Sequence, residues 1–312
     1  MPSNSEDKEL REVPVGRIRP NPDNPRMAFR QGELDDLQES IRRYGIQVPI
    51  AVYRRGHDYF LIDGERRWRC ASKLNLKTIP AIVQTEPKPL QNLLLMFNIH
   101  ALREQWDLLT IALKLPTVIE LLVRELKKNP TEKELSEHTG LARGVIRRCR
   151  LLMEIPDKYK DMLLEELKKP KSKQQLSEDF FIEMEKALKT VSRSLPGVVI
   201  DIDEARDALL KKYKADVIDN IVDFRRVAKI ARATSVGASS TQAADAIRRL
   251  LTDKNYTIDQ AWTDTVSEAY TERDILSRID SLLAKFDEVQ ATTIDDDVRD
   301  KLEELVARVL PP

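Results

Sequence analysis

The sequence predicts an α+β N-terminal domain, then a mostly helical helix-turn-helix domain, then an all-α C-terminal region. Three observations predict it. Short apolar strand-like runs and helical repeats alternate in a βαββαβ order over about 80 residues, enough for one small domain. After Pro89 the chain reads as helix almost throughout. Capping and turn residues near 131–146 mark two short helices at a sharp turn. The 312 residues divide into a disordered start at 1–12, an α+β domain at 13–104, a helix-turn-helix domain at 105–195 and an acidic helical domain at 196–312. The Pro196-Gly197 pair suggests the last boundary.

The elements follow in order. Val13, Val15 and Ile18 alternate loosely, as in a short strand. Three prolines within Pro20–Pro25 forbid regular structure there. Leu34, Leu37, Ile41 and Tyr44 recur at helical spacing, and Gly45 follows as a C-cap. Residues 48–53 and 58–63 read as strands around Arg54-Arg55-Gly56-His57, residues 65–75 as helix and 78–84 as strand. Pro116, Pro130, Pro156, Pro170 and Pro196 are spaced like helix boundaries. Amphipathic pieces lie around 203–213, 216–233, 240–252 and 266–289, and the Asp216–Ala233 piece, with Val217, Ile221, Phe224 and Ile230, has the pattern of a packing or dimer helix.

Composition excludes several classes. Lys+Arg and Asp+Glu number 52 each, so a uniformly basic coat is absent. The balance hides an asymmetry. Residues 124–150 hold eight bases against four acids, and residues 253–312 hold seven bases against fifteen acids. This predicts a middle that faces nucleic acid and a tail that faces something else. No apolar run reaches the roughly 18 residues of a membrane span, and the polar start is unlike a signal peptide. Cys70 and Cys149 stand far apart, arguing against a disulfide framework and fitting a reducing cytoplasm. Nine glycines disfavour Gly-rich dinucleotide folds, and 5% aromatics disfavour a base-stacking platform. Three histidines without metal-type spacing make a zinc site improbable, and no Gly-x-Ser-x-Gly pattern supports nucleophilic hydrolysis.

Two constellations carry chemistry. In Asp63-Gly64-Glu65-Arg66-Arg67-Trp68-Arg69 a strand ends and a helix starts. A helix N-terminus offers free N–H groups and the positive dipole end, glycine lets the backbone approach closely, and arginines match phosphate oxygens. A charged first turn of a surface helix would read the same way. The second constellation starts at Thr131, which with Glu134 forms a capping box. Gly140 falls at the turn, where a left-handed backbone is usual. Leu135, Leu141, Val145, Ile146 and Cys149 face inward, leaving Arg143, Arg147, Arg148 and Arg150 outside. A helix of this diameter fits the major groove of double-stranded DNA, with most arginines on phosphate.

The order of these pieces resembles the N-terminal domain of the ParB partition protein family, which shares its fold with sulfiredoxin. Asn21-Pro22 with Pro25-Arg26, then Ser40-Ile41, Gly45 and Pro49, then Ile62-x-Gly64-Glu65-Arg66-Arg67-x-Arg69 match its boxes over about residues 12–105, and more weakly to about 165. The resemblance implies CTP binding, with Gly64, Glu65, Arg66 and Arg67 lining the triphosphate and Arg26 nearby. It places Asn98 where the family holds Mg2+-bound triphosphate. Phe97 replaces the family's acid there, and Arg103 lies five residues after Asn98 rather than three, about 140° away around a helix. Glu104 and Asp107 are the candidate substitutes for the acid. Hydrolysis of CTP is therefore in more doubt than binding. The resemblance further implies a nucleoid- or plasmid-associated homodimer, with a ParA-like or other partner through the C-terminal region. Two alternatives stay open: a DNA-binding adaptor with a decayed pocket, and an enzyme on the same fold, a phosphoryl-transfer enzyme, nuclease or reductase.

Overall fold

The computed structural model describes residues 8–22, 31–98 with the backbone of 99–101, 106–288 and 294–310. Arg26, Arg103 and Glu104 lie outside the described residues, as do residues 1–7.

The first unit opens with β1 (Glu9–Pro14), a 3-10 turn at Val15–Arg17 and β2 (Ile18–Arg19). Then come α1 (Gln31–Tyr44), β3 (Ile50–Arg55), β4 (Asp58–Asp63), α2 (Glu65–Lys73) and β5 (Thr78–Gln84). The five strands form one mixed sheet in the order β1-β5-β3-β4-β2. β3 pairs antiparallel with β4 and parallel with β5, while β1 runs antiparallel to β5. Val13, Ile18, Ile50, Val52, Leu61 and Ile79 make the core of one sheet face. Leu34 and Ile41 of α1 close over Cys70 of α2.

Two expectations for this region are corrected. Residues 9–12 are not a disordered start: they pair with β5, Leu10 opposite Ile82 and Glu12 opposite Pro80. β1 is an edge strand that buries only Val13, so it carries almost no apolar alternation to read. Val13, Val15 and Ile18 are not one strand either, because the 3-10 turn divides them. The expected 48–53 strand is shifted by two residues, to Ile50–Arg55.

Helices follow: α3 (Pro89–Ala101), α4 (Leu108–Leu126), α5 (Glu132–Thr139), α6 (Arg143–Glu154), α7 (Asp157–Lys168) and α8 (Glu178–Ser194). Leu93, Met96 and Phe97 of α3 are buried, and Phe97 meets Trp106 edge-on at 5.3 Å. α4 starts at an Asp107 cap and buries Leu109, Ala112, Leu115, Val118 and Leu122. Pro116 does not end a helix as its spacing suggested; it lies inside α4 on the exposed side. Its missing N–H costs one helical bond there, which the buried stripe on the opposite side of α4 outweighs.

The chain packs as two units, 1–185 and 186–312, so the α+β and helix-turn-helix parts share one unit. The division falls inside α8, ten residues before the Pro196-Gly197 pair, because α8 continues unbroken to Ser194. The second unit holds α9 (Ile202–Lys214), α10 (Phe224–Ala231), α11 (Ser240–Thr252), α12 (Ile258–Thr263), α13 (Ser267–Asp287) and α14 (Asp296–Val309). The expected helix over Asp216–Ala233 shrinks to α10: Asp216 takes φ +54 in a turn, and Asn220 caps a 3-10 turn before Phe224. α10 buries Phe224, Val227 and Ile230 against its neighbours, as core.

Candidate functional site

The strand-to-helix junction forms as the sequence suggests. Gly64 caps α2 at φ +95 and no other residue fits there: a Cβ would stand 2.5 Å from Ile50 Cγ2. Leu61 and Ile62 are buried in β4 and anchor the junction from behind. The first-turn N–H groups of α2 are therefore held at a fixed place at the C-terminal end of β4.

Its arginines have separate tasks. Arg67 donates to the carbonyls of Val48 and Pro49 and, at 3.0 Å, to Asp63 Oδ2. Its side chain is 17% exposed, so it staples the start of β3 to α2. Arg66 donates to the Glu33 carbonyl at 2.9 Å, with Glu33 Oε2 at 3.5 Å. It thereby ties α2 to the first turn of α1, just after the segment that contains Arg26. Glu65 accepts from Arg69 at 2.6 Å along the helix. Gly64, Glu65, Arg66 and Arg67 are thus brought together.

Asn98 goes elsewhere. Its Nδ2 donates to the Leu94 carbonyl at 2.9 Å, and its Oδ1 lies 2.6 Å from where a Gly140 Cβ would be. The amide nitrogen is bonded within α3, and its oxygen faces Gly140 in the helix-turn-helix turn. No group of three or more His, Cys, Asp or Glu able to hold a metal occurs among the described residues. An Mg2+ ion bound with a triphosphate takes most of its ligands from phosphate and water, so it does not depend on such a group. Phe97, in the place of the family's acid, is fully buried core. Asp107, one of the two candidate substitutes, accepts from Thr110 N–H as the cap of α4.

α3 carries a second asparagine that sequence reading missed. Buried Asn92 accepts from Asn21 Nδ2 at 3.1 Å. One helix thus touches the Asn21-Pro22 segment near its start and the Gly140 turn near its end. No periodicity marks such a pair, which is why only coordinates reveal it.

The helix-turn-helix forms as predicted. Thr131 and Glu134 make a reciprocal capping box, and Lys128 with the Thr131 backbone and hydroxyl holds the Glu134 carboxyl down at about 2. Gly140 turns the chain at φ +73. Ile146, Cys149 and Leu152 bury one side of α6, and burial pushes the Cys149 thiol up to about 12, so it stays protonated. On the other side Arg143 and Arg147 both reach Glu132, at 2.9 and 3.2 Å. Arg148 pairs with Asp179, and Arg150 is exposed. Glu132 and Asp179 were not foreseen, because their separations from the arginines fit no helical repeat.

Glu178, beside Asp179, is half-buried and accepts the Leu109 N–H at the start of α4. Burial, with Asp107 adding to it, pushes its carboxyl up to about 7 against that hydrogen bond.

These features define a class: an α+β domain with a mixed five-stranded sheet running into a helix-turn-helix. More narrowly, residues 1–97 match the family model for the ParB N-terminal domain, and the similarity to curated proteins runs over about half of the chain. It is 31% identical to the chromosome-partitioning protein ParB of Caulobacter vibrioides over 157 residues, 49% of each chain. It is 32% identical to the nucleoid occlusion protein of Geobacillus kaustophilus over 167 residues, 53% of this chain and 57% of the other. The chain thus spans about half the length of the curated relatives it matches. Among solved structures, a C-terminally truncated ParB from Caulobacter crescentus complexed with CTP-gamma-S is 29% identical, covering 50% of this chain and 85% of that one, with a TM-score of 0.29. The same protein complexed to the centromeric parS site is 23% identical, covering 71% and 98%, with a TM-score of 0.43. No described helix is long and apolar enough to cross a membrane.

Proposed function

We propose that the chain is a CTP-gated, DNA-binding clamp of the ParB kind, working as a homodimer in DNA or plasmid partition or in transcriptional regulation. CTP takes the Gly64–Arg67 junction with Arg26, and double-stranded DNA takes Arg143, Arg147, Arg148 and Arg150 of α6. A ParA-like partner on the C-terminal region and a place on nucleoid or plasmid DNA belong to the same reading.

The observation that carries it is the double contact of α3. Asn92 is bonded to Asn21 in the segment leading to Arg26, and Asn98 lies against Gly140 in the turn that aims α6. A ligand that repositions Asn21 must act on the same helix that supports the DNA reader. Two ligands that bias one element are coupled, reciprocally in their binding free energies.

The test is equilibrium binding of CTP, ATP, GTP and UTP with Mg2+ to wild type and Arg66→Ala. Arg66 is the right probe because Arg67 holds the start of β3 and its loss would disturb the fold. Selective CTP binding, weakened at least tenfold in the variant, is expected; ATP preference would move the chain towards a phosphoryl-transfer enzyme.

One observation favours a second reading, an adaptor with a decayed pocket. Arg67 already engages two carbonyls and Asp63, and Arg69 engages Glu65. Such a protein binds no nucleotide and holds DNA equally with and without CTP.

A further inference from the structure

Three helices of the first unit meet at the start of α8. Ser177 Oγ accepts the Phe180 N–H and caps that helix, so Glu178 and Asp179 stand in its first turn. Glu178 accepts the Leu109 N–H at the start of α4, and Asp179 accepts from Arg148 on α6. The next residue of α6, Cys149, has its Sγ 3.8 Å from the Leu108 carbonyl. Neighbouring residues of α8 thus grip both the start of α4 and the helix that reads DNA.

Arg148 differs from the other three arginines of α6. Arg143, Arg147 and Arg150 are exposed and share one stripe of the helix. Arg148 is half-buried and stands about 100° round from Arg147, where Asp179 of α8 reaches it. On a helix lying in the major groove, a flank of this kind meets phosphates rather than base edges. Asp179 and a phosphate therefore compete for one guanidinium.

Glu178 sets how strongly α8 competes. The groups around it are Asp107 at the cap of α4, Arg148 and the protonated Cys149 thiol on α6, and Asp179 on its own helix. Burial pushes its carboxyl up to about 7; Asp107 and Asp179 push the same way, and the Leu109 N–H and Arg148 oppose them. With Glu178 ionised, two carboxylates hold Arg148 and repel an approaching phosphate. With Glu178 neutral, Asp179 holds it alone. A phosphate that takes Arg148 removes a positive neighbour from Glu178, which strengthens the hold of that carboxyl on a proton. DNA binding is thereby linked to proton uptake, and affinity falls as pH rises through the range in which Glu178 ionises.

We infer that Glu178 and Asp179 are positioning residues for the DNA-reading helix: ionised together they keep Arg148 on α8, and a neutral Glu178 lets phosphate take it. The inference rests on α6 as the DNA-binding helix and adds a proton to its control.

Equilibrium binding of a labelled mixed-sequence DNA duplex to the full chain at low salt, between about pH 6 and pH 8, tests it. Wild type is expected to lose about threefold more affinity over that range than Glu178→Gln, whose amide still accepts the Leu109 N–H. Histidine contributions are common to both chains and cancel. Arg148→Ala should bind more weakly at the acid end and show one pH profile with or without Glu178→Gln. Asp179→Asn should tighten binding several-fold in wild type and do nothing in Arg148→Ala. Unchanged affinity in Arg148→Ala would take Arg148 off the DNA and overturn the inference together with that part of the reading above. Weaker binding by Arg148→Ala, with identical pH profiles for wild type and Glu178→Gln, would overturn the inference alone. So would a wild-type affinity that rises with pH relative to Glu178→Gln.

Discussion

Gly64 concentrates most of what the α2 junction needs from one residue. Its φ of +95 and the 2.5 Å approach of Ile50 Cγ2 leave no room for a side chain. Left-handed strain and forced overpacking each cost about 1–3 kcal/mol, so Gly64→Ala should lower unfolding stability by roughly 3 kcal/mol in denaturant titrations. A loss under about 1 kcal/mol would mean that the junction is pliable. Glu178 acts through its proton. Its folded carboxyl titrates at about 7, above its ordinary value, so between those two pH values the folded chain binds more protons than the unfolded one. Stability then falls as pH rises through that window and stays lower above it, on the order of 2 kcal/mol after allowing for residual solvent access. Glu178→Gln keeps an acceptor for Leu109 N–H and should flatten that slope, raising stability at pH 8 and leaving pH 5 nearly unchanged. Thermal melts across pH 5–8 would show this, and a parallel offset at every pH would remove Glu178 as the cause.

The helix-turn-helix and α3 behave as coupled elements. Gly140→Ala meets both a positive φ and the Asn98 amide. Asn98→Ala removes the second obstacle only, so the pair should be non-additive by about 0.5–1.5 kcal/mol in a double-mutant cycle; strict additivity would detach α3 from the turn. α6 also carries a restraint, since Glu132 holds Arg143 and Arg147. Exposed ion pairs of this kind are worth about 0.2–1 kcal/mol each. Glu132→Gln should therefore tighten DNA binding by several-fold at low salt, an effect that fades as salt screens it. Unchanged affinity would place those two arginines off the DNA. At this scale the sequence was legible wherever local chemistry decides. The Thr131–Glu134 box, the Gly140 turn, the Gly45 cap and strands 58–63 and 78–84 each follow from neighbours in the chain. What stayed hidden depends on distant partners. β1 exists because β5 offers it an edge, Pro116 is carried through by the buried side of α4, and Asn98 lies against the turn because Gly140 leaves it space.

The whole molecule divides its labour between two units. The first holds both candidate ligand sites, and the second holds α13 and α14, which have no fully buried residue. Their cores are separate sets of side chains: Val52, Leu61, Phe97 and Leu115 in one, Leu209, Phe224, Ile247 and Leu250 in the other. α8, which runs through the division, is the element through which cooperativity could spread. A ligand that binds only the folded first unit stabilises it by about 2.7 kcal/mol at a hundred times its Kd. For a unit of that size the melting temperature rises by roughly 5–10 °C. Scanning calorimetry of the full chain should therefore resolve two transitions, only one of which moves with CTP. Hydrogen exchange should assign the moving one to residues 1–185. If both transitions move together, α8 transmits the whole stabilisation and the chain unfolds as one body. If neither moves while DNA alone shifts the first, the Gly64 junction is a structural anchor, and α6 is the sole ligand site of the first unit.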